Sequence, residues 1–91
     1  MEELTAAHFT AGTCFEVEAA GTSVPLTLER VEPLPPAARE AGAFRLDFTG
    51  PADPLLPQGI YPFDVGGTVH GIFIVPLERK ADGCRYEAIF N

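Results

Sequence analysis

Four residues of this sequence have side chains suited to a metal, Cys14, Cys84, His8 and His70, because zinc takes thiolate and imidazole in tetrahedral sets. Their spacing argues against it. No two lie in the close pairs that zinc motifs use, so the expectation is two isolated histidines, two half-buried cysteines and no metal or cofactor. A Cys14 to Cys84 disulfide is the other use of the thiols. Cys14 shares strand parity with Glu16 and Glu18, whereas Cys84 shares that of Tyr86 and Ala88, so both thiols are expected free. The only serine, Ser23, stands two residues before a proline and outside any Gly-x-Ser-x-Gly elbow, which removes that route to nucleophilic catalysis. The carboxylate pairs Asp47 with Asp64 and Glu78 with Glu87 have the types for acid–base work. On outward strand positions, though, acids are ordinarily solvated or paired, here with Arg45, Arg79 or Arg85. Gly66-Gly67 sits between strands rather than before a helix and is no phosphate loop. With no catalytic set converging, the expectation is a protein that is not an enzyme.

The elements that position these residues are strands. Ile60 to Val65 places Tyr61, Phe63 and Val65 on alternate positions, the period of a strand with one buried face. Gly66-Gly67 then supplies the two positive φ angles of a tight hairpin. Thr68 to Leu77 carries Val69, Phe73, Val75 and Leu77 on one parity and Ile72 and Ile74 on the other, which predicts cover on both faces. Asp82-Gly83 reads as the next positive-φ turn, and Arg85 to Phe90 closes the chain with Tyr86, Ala88 and Phe90 on one face. Upstream, Thr13 to Ala19 alternates Phe15, Val17 and Ala19 with Cys14, Glu16 and Glu18. Val24, Leu26 and Leu28 form a second strand, with Pro25 predicted at an edge or with its side facing away from a neighbour and a parity slip at Arg30-Val31 that predicts a bulge or a strand end. Phe44, Leu46 and Phe48 face inward from a strand whose Arg45, Asp47 and Thr49 face outward. Thr5 caps a helical turn, Ala6 to Phe9, and Pro33 to Gly42 reads as a surface loop with one helical turn after Pro36.

The sum is an all-β fold, about six antiparallel strands in a small barrel or sandwich with a short N-terminal helical turn, in one domain spanning 1–91. Ninety-one residues are too few for two cores. Phe15, Phe44, Phe48, Phe63, Phe73 and Phe90 are expected to fill the interior, which favours a packed core over a ligand pocket. Thirteen acids against six bases give a net charge of −7, which works against nucleic acid and anionic membrane partners. No apolar run approaches the ~20 residues of a spanning helix. The acidic start Met1-Glu2-Glu3 lacks the features of a secretory signal, so the expected location is cytoplasmic.

At Leu56-Pro57-Gln58-Gly59-x-Tyr61 and Asp82-Gly83-x-Arg85-Tyr86-Glu87-Ala88-x-Phe90-Asn91, with Gly50-Pro51, Phe73-x-Val75-Pro76 and the opening Leu4-Thr5-Ala6-Ala7-x-Phe9, the chain resembles a family of small bacterial proteins catalogued as a domain of unknown function. The resemblance spans nearly the whole chain and brings no catalytic or binding residues. It implies association with neighbourhoods encoding proteins similar to phage-tail or tail-collar components, hence a structural or accessory role.

One stretch stands out for binding. Pro54-Leu55-Leu56-Pro57 sets two adjacent leucines in a proline-stiffened link, and a rigid loop loses little entropy on binding. Leu55 and Leu56 are therefore the candidate partner contacts, against the plainer reading that one of them plugs the barrel. The expected function is a non-enzymatic structural or protein-interaction module, which the family resemblance sets as an accessory to a phage-tail-like assembly. A small-ligand-binding barrel is the alternative.

Overall fold

The computed structural model describes residues 4–34 and 43–90, so the helical turn expected after Pro36 lies outside the described residues. Thr5 opens a single 3-10 turn over Ala6–His8, and the ring Nδ1 of His8 accepts the Thr5 backbone N–H at 2.9 Å. The turn delivers Phe9 to the core. Six strands follow: β1 (Cys14–Ala19), β2 (Thr22–Pro33), β3 (Phe44–Gly50), β4 (Gly59–Val65), β5 (Thr68–Lys80) and β6 (Gly83–Phe90). They pair antiparallel in the order β1-β2-β3-β6-β5-β4. The two edge strands, β1 and β4, meet without a ladder between them, where the ring of Phe15 lies 5.5 Å from that of Phe63. The result is a nearly closed barrel.

Turn chemistry sets the registers. Ala20 (φ 49°) and Gly21 (φ 80°) join β1 to β2, and Gly66 (φ 62°) and Gly67 (φ 91°) join β4 to β5. Positive φ at both central residues gives the turn that matches strand twist. The parity slip after Leu28 is a break in register between Leu28 and Arg30, and a second break lies between Pro76 and Glu78 on β5. Pro25 faces Glu16 of β1, while pairing with β3 begins only at Thr27. Its other side therefore has no ladder for a missing N–H to interrupt. β5 divides its pairing: Thr68 to Ile74 oppose β4, and β6 is engaged only from Val75 onward. The β4–β5 hairpin thus forms an arm of the barrel, held by side chains along its first half.

Two aromatic groups fill the interior. Phe15, Phe48 and Phe63 lie 5.4 to 6.1 Å apart, and Phe44 stacks on Phe90 at 4.5 Å with Phe9 beside both. Phe73 is not among them. It was expected in the core, yet it faces outward and is 51% exposed, because Ile72 and Ile74 take the inward positions of β5. The outer face of this half-strand carries no covering layer among the described residues, which corrects the expectation of cover on both faces.

Gly83 also departs from expectation, since its φ lies outside the left-handed region. Its glycine is required by close approach instead: a Cβ there would lie 2.8 Å from the carbonyl oxygen of Gly50. Both groups are backbone and neither can rotate away, so Gly83→Ala is expected to cost about 1–3 kcal/mol by overpacking. Chemical denaturation of the two proteins checks this; an unchanged midpoint would show that β3 and β6 separate freely at this point.

Candidate functional site

The fold disperses the residues suited to metal or redox chemistry. His8 serves the N-terminal turn, His70 is half-buried on β5, Cys14 is exposed on β1 and Cys84 is buried on β6. Through the registers Cys14 is level with Thr27, Thr49 and Arg85. That places it three strand spacings, about 14 Å along the sheet, from the neighbourhood of Cys84. Cα atoms more than about 7 Å apart do not bridge. The thiol of Cys84 instead donates to the Ala52 carbonyl at 3.6 Å.

The acids of the two candidate carboxylate pairs are engaged by other groups. Asp64 accepts the Gly67 backbone N–H at 2.9 Å and braces its hairpin. Asp47, on an outward position, is nevertheless buried, because two arginines close over it. Arg30 Nε donates to Oδ2 at 3.1 Å and Arg45 Nε to Oδ1 at 2.9 Å. Arg45 also reaches Glu87 at 3.3 Å, and Arg30 reaches Glu32 at 3.3 Å. The hydrogen bond it donates to Asp47 is the main reason the Arg45 guanidinium holds its proton even more firmly than usual. Glu78 is engaged by Lys80 and Arg85, both at 3.7 Å. Asp47, Glu78 and Glu87 each meet a base, whereas Asp64 is held by the backbone of its own turn. A shallow groove of about 450 Å³ runs over Thr27, Thr49, Gly83 and Arg85, but its cations are the ones Glu78 already meets.

The two leucines of the link part company. Leu56 is 3% exposed, and its backbone N–H donates to the Tyr86 hydroxyl at 3.0 Å. Burial raises the Tyr86 phenol above its ordinary range, so it stays neutral and serves as acceptor. Leu55, at 40%, is open to solvent.

A larger apolar surface lies on the β4–β5 arm. Ile60 and Phe73 stand directly opposite one another in register, as do Asp64 and Val69. Ile60 is 72% and Val69 65% exposed. Gly71 makes room between them, because a Cβ there would come within 2.9 Å of Ile60 Cγ2. Ile60 and Val69 escaped sequence reasoning. Their signal was present in the apolar residues on both parities of β5, a pattern that marks either a strand covered twice or one waiting for cover.

The model of a family described as Domain of unknown function (DUF6916) matches residues 4–90. The chain belongs to this family. Nothing matches among curated proteins, and no solved structure matches. Membership in DUF6916 carries no activity with it. Among the described residues no helix is long and apolar enough to cross a membrane.

Proposed function

We propose that the domain is a non-enzymatic protein-interaction module that binds its partner through the outer face of the β4–β5 arm. The observation that carries this reading is the exposure of Ile60, Val69 and Phe73 on adjacent strands. The fold itself does not require it. Counting outward from the two-residue turns, the β1–β2 hairpin places Cys14 opposite Thr27 and Glu18 opposite Ser23 where β4–β5 has Ile60 opposite Phe73 and Asp64 opposite Val69. One hairpin solvates these positions with small or polar groups, and its counterpart offers isoleucine, phenylalanine and valine. Exposed apolar side chains gathered in one patch are the usual mark of a docking surface. The setting suggested by the family resemblance is an accessory place in a phage-tail-like assembly. The small-ligand alternative is disfavoured by an interior already occupied by Phe15, Phe48 and Phe63.

The Ile60→Ser/Phe73→Ser double variant tests this directly. Both side chains are outside the core, so thermal stability should stay within about 0.5 kcal/mol of the parent per site. Affinity capture with both proteins as bait should return a specific protein with the parent that the variant fails to retain. Identical capture by the two baits would defeat the reading.

A further inference from the structure

We infer that the partner segment received by the arm is cationic, an extended stretch in which Lys or Arg accompanies apolar side chains. This rests on the reading of the arm as the binding face and adds the chemistry of its occupant.

Among the described residues the bases are unevenly placed. Arg30 and Arg45 lie on β2 and β3, and Arg79, Lys80 and Arg85 lie at the end of β5 and on β6. β1, β4 and the portion of β5 from Thr68 to Val75 contain no Lys or Arg. They carry instead Glu16, Glu18 and Asp64, all exposed. Elsewhere on the sheet Glu32, Asp47, Glu78 and Glu87 each meet a base within 4 Å, and Glu29 accepts the Thr49 hydroxyl. Glu16, Glu18 and Asp64 make no ion pair among the described residues. Glu16 accepts only the Ser23 hydroxyl at 2.8 Å, beside a longer thiol contact, and Asp64 only the Gly67 N–H. A carboxylate offers about four acceptor sites, so these groups retain capacity for a cation.

Position links the charges to the apolar patch. β1 and β4 border each other where the barrel fails to close, with Phe15 and Phe63 packed beneath. Glu16 and Glu18 are outward positions of β1, and Ile60 and Asp64 are outward positions of β4, the two strands that border this seam. An apolar strip edged by unpaired carboxylates is complementary to a segment with the opposite charge. A second copy of this chain would bring a like-charged face against it, and a phosphate backbone would be repelled outright.

Selection from a library of random linear peptides tests the inference with no need to know the natural partner. Enriched peptides should combine Lys or Arg with apolar residues. They should bind Glu16→Gln/Glu18→Gln about three- to ten-fold more weakly than the parent at low salt, a gap that narrows as salt screens the charges, and should lose Ile60→Ser/Phe73→Ser altogether. Enriched peptides that lack basic residues, or that ignore the two glutamines, would overturn the cationic partner while leaving the arm as the binding face. Peptides retained by Ile60→Ser/Phe73→Ser, or no enrichment at all, would overturn both.

Discussion

Replacing Phe63 with alanine is expected to lower the melting temperature by about 12 °C or more, the largest effect of any single change considered for this chain. Phe63 is fully buried and touches the rings of Phe15 and Phe48 at 5.5 and 5.4 Å. It sits on β4 at the point where that strand meets β1 without hydrogen bonds, so side-chain packing alone holds the seam. Truncating a buried phenylalanine costs about 3–5 kcal/mol in lost transfer energy and residual cavity. In a domain of this size each kcal/mol moves the midpoint by about 4–8 °C. Thermal unfolding followed by circular dichroism reads the shift. A fall of under about 4 °C would mean that β1 and β4 collapse into the space, and that the seam is softer than its ring contacts indicate.

Leu55 and Leu56 are expected to respond oppositely to the same substitution. Leu56→Ser removes a buried side chain and places a hydroxyl in apolar surroundings, for a loss of about 2–5 kcal/mol. It also loosens the residue whose N–H engages Tyr86. Leu55→Ser should change stability by no more than about 0.5 kcal/mol. Denaturation midpoints of the two single variants decide it. Equal losses would mean that Leu55 packs in solution, and a stable Leu56→Ser would remove its role as the plug of the barrel.

Strand alternation was legible in the sequence because one buried face imposes period two, and Phe44, Leu46 and Phe48 display it without interruption. The bulge after Leu28 was legible for the same reason, as a slip in that period. Phe73 was misplaced because alternation reports that two faces differ or agree in polarity, and not whether a covering layer exists. The requirement at Gly83 was hidden too. A glycine before a strand reads as a turn, and its contact partner Gly50 is distant in the chain. The Asp47 cluster draws Arg30, Arg45 and Glu87 from three strands, so only the registers reveal it. Of the two leucines in the link, spacing alone gave no means to say which turns inward.

The strand order has a bearing on how the chain finds this structure. β1, β2 and β3 are consecutive neighbours, as are β4, β5 and β6, and among the described residues β3–β6 is the only ladder between strands that do not follow one another. Each set of three pairs strands that are consecutive in the chain, through two-residue turns within β1–β2 and β4–β5 and a longer connection between Pro33 and Phe44. Joining the sets then means closing only the short, proline-stiffened link from Pro51 to Gln58 rather than a loop containing two further strands. Loop-closure entropy grows with the length of chain left free, and local contacts shorten the search. The barrel is accordingly two three-stranded meanders that dock edge to edge, which should let it fold faster than a barrel of the same size laced through distant pairings.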